Sequence, residues 1–287
     1  MNALERQSLR LNERRLLEKD KRAGSYRLEV LQRTRRLVAQ SGTRFPPADL
    51  DNIVKGLGLP PVRYVALPVD GRIVKDGPNY SIEVNKQHSL ARKRFTIAHE
   101  IGHIIVGSRG LLGCSGTRTS PVAGREPYRR EEELADFAAT EILIPADWAF
   151  EFLGTRQPTF TTIAAMAKAC ATSIEVAARR LVECGDWSSR LIWWRPEGGR
   201  LRATRSFPQY DTAILAGMEL LDERTSIPVR VMESGRPISG KQAIRVEQEI
   251  QNYTLEAWKA GPTTVATLLV YDQVRRPSPS ALTLFEL

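Results

Sequence analysis

The stretch RKRFTIAHEIGHIIVG, residues 92–107, contains two of the three histidines in this chain of 287 residues. His99 and His103 are four residues apart, and Glu100 directly follows the first of them. An α-helix turns once every 3.6 residues, so side chains four apart lie on the same face. If the stretch is helical, both imidazoles therefore point toward one place from successive turns.

The pattern H-E-x-x-H is typical of the helix that binds zinc in metallopeptidases. Zinc binds imidazole nitrogen readily, and a catalytic zinc site has three protein ligands and one open position. Zinc also lowers the pKa of a water molecule to about 7, so that a neighbouring carboxylate can accept its proton. We therefore predict that His99 and His103 are metal ligands and that Glu100 is the catalytic base.

An ordinary buried helix is the alternative explanation, because H-E-x-x-H also occurs by chance. The surrounding residues are mainly apolar, so the helix should be buried, and a buried pair of imidazoles requires a polar partner or a metal. Gly102 stabilises a helix interior less than alanine by about 1 kcal/mol, which indicates close approach by another element. These observations favour a metal site. The apolar neighbours are Phe95, Ile97, Ala98, Ile101, Ile104, Ile105 and Val106.

The third ligand must come from elsewhere, and REEELADFAATEILIP, residues 130–145, predicts a helix with four candidates: Glu131, Glu132, Glu133 and Asp136. Glu132 and Asp136 share one face. Glu132 could bind the metal while Asp136 accepts the N–H of a ligand histidine, which would fix the tautomer and orientation of that ring. Glu131 and Glu133 would then face solvent at the start of the helix, where the helix dipole favours negative charge.

Two further side chains are rival ligands. His88 lies only 11 residues before His99, so its turn would have to fold back over the metal. Cys114 lies in the glycine-rich loop after the motif, where it could bind or cap zinc, although a small buried side chain is the simpler interpretation. We therefore place the third ligand on the acidic helix.

Composition limits the possible classes of protein. A hydrophobic content of 42% and a charged content of 26% are ordinary for a soluble chain of more than one domain. No apolar run approaches the roughly 18 residues of a membrane span, and the N-terminus lacks the apolar core of a signal peptide. Three widely separated cysteines argue against a disulfide framework. We predict a cytoplasmic protein without a membrane partner.

Basic residues concentrate at the N-terminus of a chain whose formal net charge is +9. Residues 1–40 contain 11 Lys+Arg and 5 Asp+Glu. Basic helices of this kind can contact DNA through its phosphates, but mixed charges are also typical of a solvated helix. Both interpretations stay open for these residues. The basic positions Lys168, Arg179 and Arg180 could likewise contact DNA, contact a repressor, or be solvated.

We divide the chain into four segments from its changes in pattern. The segment after the acidic helix, residues 146–158, is expected to be a short connection. In the last segment, PVRVME at residues 228–233 predicts a strand and DTAILAGMELLDE at residues 211–223 predicts a helix. The four segments are a basic N-terminal helix (1–26), a metallopeptidase domain (27–158), a pair of short helices (159–189) and a mixed α/β domain (190–287).

Two motifs together resemble the ImmA/IrrE metallopeptidase family: RFTIAHEIGH at residues 94–103 and EELADFAATEILIP at residues 132–145. The acidic helix of that family has the form E-x-x-A-D-x-x-A-x-x-x-L-x-P. The matching residues here are Glu132, Ala135, Asp136, Ala139, Leu143 and Pro145. The resemblance covers roughly residues 27–150. It implies an α+β, gluzincin-like domain with His99, His103 and Glu132 as zinc ligands and Glu100 as the base.

The resemblance also implies a function. Proteins of this family are soluble regulators that cleave a helix-turn-helix transcriptional repressor and so release stress or mobile-element genes. Longer members add a helix-turn-helix-like module and a GAF-like domain, and residues 159–189 and 190–287 are similar in layout. IAAMAKACATSIEVAARRL, residues 163–181, resembles a helix-turn-helix in its spacing.

The sequence therefore predicts a zinc-dependent endopeptidase that regulates transcription by cleaving such a repressor. Zn²⁺ is the expected ion, and Mn²⁺ also suits a histidine–carboxylate site. One alternative is a non-catalytic regulator that binds DNA or a repressor and contains a structural zinc. Another is a component of a toxin–antitoxin pair.

Overall fold

The computed structural model describes residues 24–42, 46–76, 79–107, 126–185, 187–207, 217–222, 225–246 and 249–275. Most of the expected N-terminal helix and the loop with Cys114 lie outside the described residues. The chain divides into two compact units. The first comprises the chain up to Glu151 together with Met166–Val176, and the second comprises Phe152–Ala165 together with the chain from Ala177 onward. The four-segment division of the sequence stays a prediction.

Helices and strands both occur, so the described chain is α+β. The helices are α1 (Gly24–Gln40), α2 (Leu50–Gly56), α3 (Leu90–Gly107), α4 (Glu126–Leu143), α5 (Ala146–Leu153), α6 (Phe160–Ala169), α7 (Ile174–Cys184) and α8 (Ile227–Ser234). The strands are β1 (Arg63–Val65), β2 (Gly71–Asp76), β3 (Asn79–Asn85), β4 (Trp187–Glu197), β5 (Arg200–Phe207), β6 (Glu219–Leu220), β7 (Ile238–Val246), β8 (Glu249–Gly261) and β9 (Thr264–Arg275). None of the helices described is both long and apolar enough to cross a bilayer.

The sheet of the first unit has the order β1-β3-β2. β3 pairs in parallel with β1 and antiparallel with β2. Ile82 and Val84 of this central strand are fully buried. Glu83, which points to the opposite face, is also buried, because Arg63 and Arg72 on the two flanking strands each place a guanidinium nitrogen 2.8 Å from its carboxylate. The central strand is therefore covered on both faces.

Helices α3 and α4 pack closely against each other, as Gly102 predicts. A Cβ atom added at Gly102 would lie 2.6 Å from the carbonyl oxygen of Ala135 and 2.9 Å from its Cα atom. Ala135, Ala138 and Ala139 are all fully buried. The small residues on both helices let the two backbones approach each other, which sets the distance between the side chains that project from them.

We expect Gly102→Ala to lower the free energy of unfolding by about 1–3 kcal/mol, because the new methyl group overlaps the backbone of α4 and forces the helices apart. Denaturant unfolding of the purified protein measures the change. Gly107→Ala, at the last residue of the same helix, is the control, since a Cβ atom there meets nothing within 4 Å. Equal stability of the two variants would contradict the close packing of α3 on α4.

Two stretches that were not predicted as helices are helical. Residues 146–153 form helix α5 rather than part of a connection, and Ala146, Ala149 and Leu153 bury one side of it. The stretch PVRVME lies in helix α8, although its valines favour a strand. A proline in the first turn and Gly235 in the left-handed conformation after the last turn define this helix. Ile227 and Val231, four residues apart, bury its apolar face.

The second unit contains a six-stranded sheet with the order β5-β4-β9-β8-β7-β6, in which all neighbouring strands are antiparallel. Helix α8 packs on one face through an apolar core that includes Val231, Ile192, Trp194 and Leu255. Glu219–Leu220, within a stretch predicted as a helix, is strand β6, and residues 211–216 and 223 of that stretch lie outside the described residues. The opposite face of β4 and β5 carries arginine side chains, among them Arg195 and Arg202.

Candidate metal centre

Helix α3 brings the two histidines together. Their Nε2 atoms are 3.0 Å apart, and the ring planes are nearly perpendicular, at 86°. The side chain of His103 is almost completely buried, and that of His99 is 18% exposed. The two imidazoles therefore offer one nitrogen each to a single point at the surface of α3.

Helix α4 brings a carboxylate to the same point. One oxygen of Glu132 lies 3.2 Å from Nε2 of His99, and the other lies 3.4 Å from Nε2 of His103. Each of the three side chains offers one ligand atom, and these atoms all lie within 4.8 Å of one another. The structure thus brings the three predicted ligands together from two helices.

The outer nitrogen of each histidine is held by a further carboxylate. Nδ1 of His99 lies 2.9 Å from Oδ1 of Asp136, as the sequence predicts. Nδ1 of His103 lies 3.0 Å from Oε1 of Glu131. With Nδ1 protonated, each ring donates this hydrogen bond and turns Nε2 toward the point that Glu132 also faces, where its lone pair could bind a metal. Both rings are therefore fixed in an orientation suited to binding a metal.

The expectation that Glu131 faces solvent is wrong. Its side chain is only 15% exposed and contacts His103. The later residue of α4, Asp136, contacts the earlier histidine, His99, and the earlier residue, Glu131, contacts the later histidine, His103. Helices α3 and α4 therefore run antiparallel. Glu131 precedes Ala135 by four residues, and Ala135 is the residue that packs on Gly102. Glu131 and Ala135 therefore lie on the same face of α4, and this four-residue spacing was a signal in the sequence that Glu131 faces α3 rather than solvent. Glu133, by contrast, is exposed.

The electrostatics of this group favour a positive charge at its centre. Burial disfavours the charged form of His99, but its hydrogen bonds to Asp136 and Glu132 outweigh burial and raise its pKa to about 10. Burial likewise favours the protonated form of Glu132, but its contacts with His103 and His99 prevail and hold its pKa well below the usual range. Three carboxylates around two imidazoles suit a divalent cation bound to histidine and carboxylate ligands.

Glu100 lies beside the histidine pair and is 5% exposed. Its charge also favours the protonated form of His99, which indicates that the two groups are close. A Cβ atom at Gly71, the first residue of β2, would lie 3.6 Å from Oε1 of Glu100. The carboxylate is therefore positioned between α3 and the sheet, outside the set of three ligand atoms.

Of the two rival ligands, His88 takes no part in this geometry. Nε2 of His88 lies 3.5 Å from Oδ1 of Asp70, in a separate contact near the start of α3. Cys114 lies outside the described residues. Cys170 and Cys184 are buried and form no disulfide in the described part of the chain.

We expect removal of either orienting carboxylate to weaken zinc binding by about 10–100-fold, because the histidine then loses its fixed orientation. Glu131→Ala should have the larger effect, since its bond to His103 is the more buried; the side chain of Asp136 is 46% exposed. Competition with a chelating dye measures the affinity. Glu133→Ala, an exposed glutamate on the same helix, should bind zinc as the wild type does. An unchanged affinity in Glu131→Ala would mean that this contact does not orient the ligand.

The chain is similar to several known proteins. Residues 64–182 match the family model of the IrrE N-terminal-like domain, Peptidase_M78. Over 155 residues, 53% of this chain and 45% of the relative, the chain is 32% identical to the radiation response metalloprotease IrrE of Deinococcus radiodurans. It is 28% identical over 158 residues to the protein of the same name from Deinococcus deserti, covering 53% of each chain.

The chain spans about half the length of the curated relatives that it matches. Among solved structures, a Mycobacterium tuberculosis transcriptional regulator is similar with a TM-score of 0.56 and 15% identity. That similarity covers 85% of this chain and 76% of the other. At this level of identity it shows a shared fold, and the fold extends well beyond the region matched by the family model.

Proposed function

Because this chain belongs, through residues 64–182, to the ImmA/IrrE type of metallopeptidase, we propose that it is a zinc-dependent endopeptidase. The observation that carries the proposal is the convergence of His99, His103 and Glu132 beside the buried carboxylate of Glu100. A purely structural zinc site usually has four protein ligands, whereas three ligands with a neighbouring carboxylate are typical of hydrolysis.

The residues of the chain have separate tasks in this reaction. A zinc ion held by the three ligands would supply a Lewis acid that polarises a peptide carbonyl and makes water more acidic. Glu100 accepts a proton from the attacking water and then donates it to the leaving amine nitrogen. Asp136 and Glu131 keep the two imidazoles in the required tautomer and orientation. Mn²⁺ is a second ion that this ligand set suits.

We further propose that the substrate is a helix-turn-helix transcriptional repressor and that its cleavage controls stress or mobile-element genes in the cytoplasm. The relatives named radiation response metalloproteases support a role in a stress response. Helices α6 and α7, separated by a short turn with Ala171 in the left-handed conformation, are compatible with a helix-turn-helix-like module. The antiparallel sheet of the second unit with helix α8 is compatible with a GAF-like domain.

The proposal is tested by incubating the purified chain with helix-turn-helix repressors encoded beside its gene, in the presence of Zn²⁺ or Mn²⁺. Intact mass spectrometry should find two fragments whose masses add to that of one repressor plus one water. A chelator should stop the cleavage. If the chain binds a repressor tightly but leaves its mass unchanged under every metal condition, it is a non-catalytic regulator or an antitoxin-like partner instead.

A further inference from the structure

The hairpin of β4 and β5 has a high density of arginine. Residues 187–207 contain five arginines, no lysine, and Glu197 as the one acidic residue. This segment lies beyond the region that matches the peptidase family model, and the proposed hydrolysis does not use it. The five are Arg190, Arg195, Arg200, Arg202 and Arg205.

Strand geometry places three of these arginines on one face. Leu201 and Ala203 of β5 belong to the apolar core, so Arg202 between them points to the opposite face. Arg195 pairs directly with Arg202 across the two strands. The register shifts between Trp193 and Trp194, so Arg205, three residues after Arg202, pairs with Trp193 and lies on the same face as Arg202. The face that turns away from the core therefore has two arginines opposite each other and a third further along β5.

Aromatic rings hold two guanidinium groups at this face. The guanidinium of Arg205 lies over the Trp193 ring, 4.1 Å from its centroid. Arg179, from the part of α7 that belongs to the same unit, lies 5.7 Å from the centroid of Trp193 and 5.6 Å from that of Phe207. Cation–π contacts at these distances restrict the guanidinium groups. We refer to Arg179, Arg195, Arg202 and Arg205 as the arginine face.

Like charges directly opposite each other destabilise a pair of strands, so this arrangement costs stability in the absence of an anion. Charged residues often protect an edge strand against aggregation, and β5 is an edge strand. That explanation does not extend to Arg195, which lies on the interior strand β4, or to Arg179, which lies on a helix. The planar guanidinium group suits phosphate, which it can bind through two parallel hydrogen bonds.

We infer that the arginine face binds the sugar–phosphate backbone of double-stranded DNA without regard to sequence. Two arginines directly opposite each other and a third further along β5 form a compact positive cluster, and duplex DNA carries one phosphate charge per about 1.7 Å of its axis. Such a cluster can therefore contact more than one phosphate. Trp193 is only 3% exposed, so it cannot stack on a base. The aromatic rings thus position arginines rather than nucleobases, which favours the duplex backbone over single strands.

The test is the affinity of the full chain for a short fluorescein-labelled DNA duplex, measured by anisotropy as a function of salt concentration. We expect the triple variant Arg195→Gln, Arg202→Gln, Arg205→Gln to bind at least about tenfold more weakly. The slope of log affinity against log salt should also decrease by about 3, because each lost phosphate contact removes about 0.9. Arg195→Gln with Arg202→Gln, which retains the contact between Arg205 and Trp193, should lower the slope by about 2.

The matched control replaces three exposed cations of the same unit, Arg230, Arg236 and Lys241, with glutamine. It removes the same charge and should bind DNA nearly as the wild type does. Equal losses of DNA affinity in both triple variants would show that net charge alone determines binding. An unchanged affinity in the hairpin variants would mean that these arginines only protect the edge strand against aggregation. Either result overturns the inference.

If poly-glutamate binds as tightly as DNA and the hairpin substitutions abolish the binding of both, the surface fits an acidic protein and the assignment to DNA is wrong. Thermal unfolding of each variant separates a binding defect from a folding defect.

Discussion

Glu100→Gln should lower the rate of repressor cleavage by about 10²–10⁴-fold, the usual contribution of general acid–base catalysis. Glutamine has nearly the same shape as glutamate, so it fits the buried position between α3 and Gly71. Its amide cannot accept the proton of the attacking water. The three ligand atoms of His99, His103 and Glu132 are untouched, and zinc affinity should change little.

Intact mass spectrometry over time measures cleavage, and the chelating dye measures zinc affinity in the same preparation. The combination is diagnostic: a catalytic base affects rate alone, whereas a residue that supports the site affects zinc affinity as well. If Glu100→Gln cleaves the repressor as fast as the wild type, the assigned mechanism is wrong. If it loses zinc in proportion to activity, Glu100 acts through the metal site rather than as the base.

Glu132→Ala should have the largest effect on metal binding. Zinc sites with four protein ligands bind with about 10–16 kcal/mol, so one ligand corresponds to a few kcal/mol, or roughly 10²–10³-fold in affinity. The substitution removes the carboxylate whose two oxygens face His99 and His103. The two histidines, oriented by Asp136 and Glu131, would then retain only weak affinity for zinc.

Thermal and denaturant unfolding with added zinc provide the measurement. At a zinc concentration 100-fold above the wild-type Kd, binding should stabilise the wild type by about 2.7 kcal/mol. In Glu132→Ala the same concentration should stabilise the protein by less than about 0.5 kcal/mol. Glu133→Ala, the neighbouring exposed glutamate, should respond as the wild type does. An undiminished response in Glu132→Ala would mean that another residue provides the third ligand.

Several elements could be predicted because their signals are local. The bounds of α3 and the end of α4 before Pro145 follow the helical spacing of apolar residues and the proline. The stretch PVRVME shows the opposite case, because the valines alone favour a strand. Its helix depends on the proline in its first turn, on Gly235, and on burial of Ile227 and Val231. That burial requires the sheet of the second unit, which forms from strands distant in the sequence.

The sequence by itself determined which residues approach one point from a single helix. The helical repeat places His99 and His103 on one face with Glu100 beside them, and this repeat depends on hydrogen bonds between residues that are near neighbours in the sequence. Only the tertiary structure decided which acidic residue of α4 contacts which histidine. The antiparallel packing of α4 on α3 brings Glu131 to His103, and the register of β4 with β5 places Arg195 opposite Arg202. Direction of packing and strand register depend on contacts between residues far apart in the chain, which local patterns do not specify.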